Sequence, residues 1–382
     1  MDVFINDIAA FLPNKPINNE DIEDVMGRIN NLDSKAKRIV LKNNQIKTRY
    51  YALNPETGEL THSNMEMTAQ AVKKLSPYTD FNTDQIQCLC CGTTTPDLLL
   101  PGFGLMVLGE LGIPECDAVT TSGICISGMT ALKYAFMNVA AQMSGNAVAT
   151  GSELASSFFR SNYMTPYINE KDESGLETRP IRAFDADFLR WMLSDGAGAV
   201  FLSTNSNKDK ISLKIEWIDH ISLAGSLETC MYCGGVKQEN GKMVGWRDTE
   251  RIDRASKPYR MSVRQDIKLL DKEIVSSMGH VLLRIIDKRK LKPKDIDWFV
   301  PHYSSAYFRP KFYNEMKRIN FEIPYEKWFT NLSEKGNTGS AAIYIILEEL
   351  FYSGKLKKGE KLLCFIPESG RFSHCFMLLT VV

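Results

Sequence analysis

Cys125 stands in the run Thr121-Ser122-Gly123-Ile124-Cys125-Ile126-Ser127-Gly128-Met129. A short β-prone stretch, Asp117 to Thr120, precedes it, and a helix-compatible stretch from Ile126 to about Ala141 follows. A cysteine at such a junction feels the positive end of the helix dipole, a field that favours the nucleophilic thiolate. Ser122, Gly123, Ser127 and Gly128 are small enough to let a substrate reach the sulfur. The alternative for a cysteine in an apolar run is a small core residue. Two further groups have types that suit the same chemistry. His302 follows the strand-like segment Ile296 to Val300 and Pro301, and Asn337 lies in Glu334-Lys335-Gly336-Asn337-Thr338-Gly339-Ser340-Ala341-Ala342, ahead of an apolar helix. Singly, His302 reads as a buried strand-end histidine and Asn337 as an N-cap. Together, a cysteine with a histidine and an asparagine is an arrangement for acyl chemistry. Their separation in the chain leaves the fold to assemble them.

The elements that must position these groups alternate. Strands are expected over Val3 to Phe11, Ile86 to Gly92, Asp117 to Thr120, Asn146 to Glu153, Leu193 to Leu202, Ile211 to Ile221, Ile296 to Val300, Lys361 to Ile366 and Cys375 to Val382. Helices are expected over Asn19 to Leu41, Gly102 to Leu111, Ile126 to Ala141, Val263 to Arg289, Ala306 to Ile319 and Asn337 to Phe351. Two polar excursions, Ser156 to Leu193 and Gly234 to about Tyr259, interrupt the rhythm. The alternation predicts an α/β protein, with two halves of similar element order, 1–205 and 206–382, the first carrying Cys125 and the second His302 and Asn337. Chemistry in such folds gathers at strand ends.

The 382 residues suit two lobes or a repeat rather than a single compact core. Lys+Arg and Asp+Glu stand at 46 each, which gives no reason to expect nucleic acid or an anionic membrane as partner. Lys355-Leu356-Lys357-Lys358 and Lys288-Arg289-Lys290 read as solvated turns and helix ends. No apolar run is long enough to span a bilayer, and the N-terminus has no basic, then apolar, secretory pattern. The nine cysteines are odd in number and lack a disulfide rhythm, so a reducing, cytoplasmic setting is expected. Cys230-Met231-Tyr232-Cys233 is a C-x-x-C pair without a second pair at zinc-site spacing. No metal and no cofactor are expected.

The order of several motifs over most of the chain resembles the ketoacyl-acyl-carrier-protein synthase III group of the thiolase superfamily. Gly92-Thr93-Thr94-Thr95-Pro96-Asp97 with Leu99-Leu100-Pro101-Gly102 is similar to that family's early T-x-x-P-D segment. Cys125 with Ser127-Gly128 resembles its nucleophile elbow, and Gly151-Ser152-Glu153 the next strand end. Asp195-Gly196-Ala197-Gly198-Ala199 matches D-G-A-G-A, Pro301-His302 the start of P-H-Q-A-N, and Gly336-Asn337-Thr338 with Ser340-Ala341-Ala342 the G-N-T-S-A-A motif with an extra glycine. Gly370 falls where the family has a Gly-rich loop. The departures are Tyr303-Ser304-Ser305 after the histidine, Ser369-Gly370-Arg371 in place of three glycines, and no tryptophan before Trp191 to stack on a coenzyme A adenine.

The resemblance implies a thiolase-like fold, layered α-β-α-β-α, and a condensing enzyme. Cys125 would take an acyl group from an acyl-carrier-protein or acyl-coenzyme A thioester. The N–H groups of Cys125 and Gly370 would form the oxyanion hole. His302 and Asn337 would bind the carbonyl of a malonyl thioester, whose decarboxylation yields the carbanion that gives a 3-oxoacyl product. The missing tryptophan leaves carrier-protein-bound donors more open. A homodimer is implied as well. Two other readings remain at this point. One keeps the acyl-enzyme but passes the acyl group to a hydroxyl or amine, or joins two acyl chains. The other makes the chain a non-catalytic partner of an active synthase, which the three intact groups argue against.

Overall fold

Several of the expected strands consist almost wholly of small and apolar residues, the pattern of a strand covered on both faces. They form the middle of one mixed sheet. The computed structural model describes residues 1–164, 184, 187–248, 261 and 263–382. Its main strands are β1 (Phe4–Phe11), β2 (Cys88–Thr93), β3 (Asp117–Ser122), β4 (Asn146–Glu153), β5 (Gly196–Ser203), β6 (Leu213–Ser222), β7 (Trp298–Pro301), β8 (Lys361–Glu368) and β9 (Ser373–Val381). The principal helices are α1 (Asn64–Lys73), α2 (Phe103–Leu111), α3 (Ser127–Ala140), α4 (Ile267–Arg289), α5 (Arg309–Arg318) and α6 (Ala342–Phe351).

The nine strands lie in the order β7-β8-β9-β6-β1-β5-β4-β2-β3. β2 runs parallel to β3 and β4, and β7 parallel to β8, while the remaining neighbours are antiparallel. Counting outward from the centre, β1-β5-β4-β2-β3 on one side is echoed by β6-β9-β8-β7 on the other, where a parallel bridge from Phe299 to Trp328 stands in for a fifth strand. β1 and β6 meet over two pairs, Phe4 with Lys214 and Ile5 with Leu213. The α/β expectation holds, and so does the layering. One core lies around α3 and α6 (Met129, Leu132, Ile343, Leu347 against Cys90, Ala149, Val200 and Leu362), a second lies under α1 and α2, and a third lies under α4 and α5.

Local chemistry fixes the element ends. α1 begins in a capping box, with Ser63 accepting from the Glu66 N–H and Glu66 reaching back to Ser63. α2 follows Gly102 and stops at Gly112, whose φ is 70°. Tyr344 of α6 lies across α3, β4 and β5: its hydroxyl donates to the Gly128 carbonyl at 2.7 Å, and a Cβ on Gly151 would sit 2.9 Å from its ring. A Cβ on Gly198 would overlap the Cβ of Tyr344, so the D-G-A-G-A spacing is a packing requirement. Asp195 of the same run accepts from the Ser156 N–H at 2.8 Å and the Ala52 N–H at 2.7 Å, pinning two loops to the head of β5.

Three helix expectations need correction. The single helix over Asn19 to Leu41 is two short ones, Ile22–Met26 and Lys37–Asn44, because Gly27, Asn30 and Asn31 all take positive φ between them. The segment Ala306 to Ile319 opens as a 3₁₀ turn before α5, and Asn337 lies outside the helix it was thought to open. Much of the Ser156 to Leu193 excursion and the end of the Gly234 to Tyr259 insertion lie outside the described residues; the start of the latter is a hairpin of Gly235–Lys237 with Met243–Gly245.

Candidate active site

Cys125 and Asn337 line one small cavity of about 50 Å³, with Thr94, Thr95 and Glu153 from the ends of β2 and β4. Ile124, Phe158, Phe159, Met192, Leu193, Met231 and Val263 make most of the remaining wall apolar.

Cys125 sits in the turn between β3 and α3 and is buried. The expectation that the helix dipole acidifies it is not met. Burial, then the charges of Glu153 and Glu368, push the thiol well above its ordinary range, and the sulfur's own backbone N–H offsets this in part. The residue lies just ahead of α3, which starts at Ser127, so burial and the two carboxylates act against the helix dipole there. Burial and the two carboxylates thus both favour the thiol over the thiolate.

Asn337 is held by backbone bonds across the sheet end: its N–H donates to Met192 and its carbonyl accepts from Ser194. Its Oδ1 accepts the Gly339 N–H at 3.0 Å, so the amide nitrogen is the free end, without a partner among the described residues. The N-cap reading fails for this residue, since the Asn337 side chain closes a turn ahead of α6.

His302 continues β7, with its N–H donating to Phe365 of β8 at 2.8 Å. It is buried. It is not among the residues that line the cavity with Cys125 and Asn337, although Ser304, two residues on, is. Burial pushes the imidazole down to about 4, so it is neutral at physiological pH.

Gly370 packs against the nucleophile loop: a Cβ there would lie 2.8 Å from Cδ1 of Ile124. Its neighbour Ser369 lines the cavity. The N–H of Gly370, however, donates to the Glu368 carboxylate, which also accepts from Arg371 and from Ser373 at 3.1 Å. In this conformation that N–H is taken, whereas the Cys125 N–H has no backbone acceptor among the described residues. The sequence reading missed Glu368 and Glu153. The available signal was an acidic residue closing each of two otherwise apolar strands.

Cys230 is buried, with its thiol on the Asp266 carbonyl, and Cys233 faces the Met261 carbonyl. No helix among the described residues is long and apolar enough to cross a membrane.

Residues 286–368 match the C-terminal domain of 3-oxoacyl-[acyl-carrier-protein] synthase III. Over 92% of its length the chain is 24% identical to the β-ketoacyl-[acyl-carrier-protein] synthase III of Ehrlichia chaffeensis, covering 91% of that protein. It is 25% identical to the Campylobacter fetus enzyme of the same name, with 93% and 92% covered. A solved tetronic acid condensing enzyme superposes with a TM-score of 0.77 at 17% identity, with 99% of each chain covered. The matched domain, the full-length relatives and the shared thiolase-like fold make the chain similar to one class of proteins, the condensing acyltransferases. Within it, the chain is similar in sequence pattern to the ketoacyl-acyl-carrier-protein synthase III group, the resemblance that its motifs already carry.

Proposed function

We propose that the enzyme forms an acyl thioester on Cys125 and condenses it with a malonyl thioester. The observation that carries this reading is the shared cavity of Cys125 and Asn337, into which Asn337 brings an unpartnered amide donor. In the first half-reaction the Cys125 sulfur attacks the donor's carbonyl. The thiol proton leaves with the departing carrier thiol, and the developing oxyanion is met by the Cys125 N–H. One such donor typically lowers a barrier by about 3 kcal/mol. Gly370 would join it once Glu368 turns away. In the second half-reaction His302, neutral through burial, and Asn337 donate to the malonyl thioester carbonyl. Breaking the carboxylate's C–C bond releases carbon dioxide and leaves an enolate on that oxygen. Donors that bind the enolate more tightly than the thioester carbonyl speed the step. The enolate carbon attacks the acyl group, releasing the Cys125 sulfur and a 3-oxoacyl thioester.

The partners in this reading are an acyl carrier protein or acyl-coenzyme A as donor and a malonyl thioester as extender, and 1–205 and 206–382 serve as the two catalytic halves. A homodimer is part of it: β3 is an edge strand with one unpaired ladder, and Leu99 and Leu100 in the loop before α2 are 69% and 83% exposed. Sedimentation at micromolar protein should give twice the chain mass. The function itself is tested by incubating the protein with acyl thioesters and weighing it. An added acyl mass on the Cys125 peptide supports the reading. An unmodified Cys125 in protein that still binds the donor refutes it.

A further inference from the structure

Glu153 closes β4, faces the cavity beside Cys125 and is buried. Its Oε1 accepts the Thr94 N–H at 3.2 Å and the Ser340 N–H at 3.3 Å and lies 2.6 Å from the Thr94 hydroxyl. Its Oε2 accepts from the Thr95 hydroxyl at 3.1 Å.

The hydrogens around Thr94 can be counted. Its hydroxyl oxygen is 2.7 Å from the Gly123 carbonyl and 2.6 Å from Oε1 of Glu153. A hydroxyl has one hydrogen, and neither a carbonyl nor an ionised carboxylate can donate. Both contacts are filled only when Glu153 carries a proton. Desolvation acts in the same direction, since an unpaired buried carboxylate is costly. Burial pushes the group up to about 7, against the hydrogen bonds from Thr94, Ser340 and Thr95.

The same side chain spans the site. Through Thr94 it reaches Gly123, two residues before Cys125. Through Ser340 it reaches the turn that holds Asn337. Gly339 in that turn has a φ of 55°, and a Cβ on it would stand 2.6 Å from Cγ of Glu153. Two other titratable groups on the neighbouring strand ends do not line the cavity themselves. Glu368, at the end of β8, also opposes the thiolate and is bonded by N–H groups of its own loop, and His302 at the end of β7 is neutral. Asp195, beyond Ser156, is bonded to Ala52 and Ser156.

We propose that Glu153 is a positioning residue whose bound proton ties the Cys125 loop to the Asn337 turn, and whose ionisation suppresses the Cys125 thiolate. This rests on Cys125 being the nucleophile.

Two measurements test it. The first is the rate of Cys125 alkylation by iodoacetamide against pH, read by peptide mass, in wild type and Glu153→Gln. Wild type should show an inflection near neutral pH, where Glu153 charges. Glu153→Gln should lose it and react roughly tenfold faster at pH 8, the effect of about one pKa unit on the thiolate fraction. Identical profiles overturn the proposal; a merely structural side chain would leave the inflection where it was. The second is an infrared titration of the protonated carboxyl in wild type and Thr94→Val, which decides the matter even if Glu153→Gln misfolds. Removing the proton's acceptor should move the titration to lower pH, and a move upward overturns the proposal. Neither measurement uses an acyl thioester. A protein that alkylates as expected but never becomes acylated would place the failure in the proposed function and not in the coupling of Glu153 to Cys125.

Discussion

Gly370 gives its backbone N–H to the carboxylate of Glu368, two residues before it in the same loop. A ring of N–H groups suited to an oxyanion is thus filled by the chain's own anion, and that anion also raises the Cys125 thiol. Glu368→Gln removes the charge while keeping an acceptor. The Cys125 thiol should become more acidic, and iodoacetamide should alkylate it about threefold to tenfold faster at pH 8. An unchanged rate would mean that Glu368 does not act on the sulfur.

Cys125→Ala should abolish the acyl mass added by a thioester donor, with no loss of the cooperative thermal transition. Intact-protein mass spectrometry and a melt, run on the same sample, check both halves of the statement.

His302→Ala and Asn337→Ala should separate the two half-reactions. Acyl-enzyme should form at near wild-type rate, while release of labelled carbon dioxide from a malonyl thioester falls by about 10²- to 10³-fold, the scale for losing one oxyanion donor. Full condensation rates in both variants would remove these residues from the malonyl site.

Two buried groups give stability opposite dependences on pH. Glu153 is raised from 4.5 to about 7, so the folded state holds its proton longer; the stabilisation is complete below about 4.5 and is lost as pH rises through 7. His302 is lowered from 6.5 to about 4, so its contribution is complete above 6.5 and is lost as pH falls towards 4. Urea unfolding at pH 5 and pH 8 should show a difference that shrinks in Glu153→Gln by up to roughly 3 kcal/mol. An equal difference in both proteins would mean that Glu153 titrates normally.

Gly198→Ala tests the packing of the middle layer. Its methyl would meet Tyr344 in a closed core, and overpacking of that kind costs about 1–3 kcal/mol. The melting temperature should fall by several degrees, and an unchanged melt would mean that the layer opens to admit the methyl.

The strands were legible because they are short, apolar and bounded by Gly, Pro or Asn. Asn146 to Glu153 was read to the residue, and the α/β class followed from the alternation. The helix over Asn19 to Leu41 was misread because a polar stretch carries little periodicity, and a single glycine with two asparagines in left-handed conformation breaks it. At the site, residue types indicated Cys125, His302 and Asn337. They could not show that burial outweighs the dipole at the sulfur, nor that Glu368 folds back onto Gly370. Both depend on what surrounds a group in space. Glu153 was noted as a strand end and its role went unseen, because its partners Thr94 and Ser340 lie far from it in sequence.

The sheet narrows at its centre to the two residue pairs that join β1 to β6. Cys125 belongs to one wing and His302 to the other, so so slender a hydrogen-bonded seam leaves their alignment chiefly to the helices stacked between the wings. A substitution on α6 that touches no substrate can therefore mistune the reaction, and screens for altered activity should find variants there as well as around the cavity.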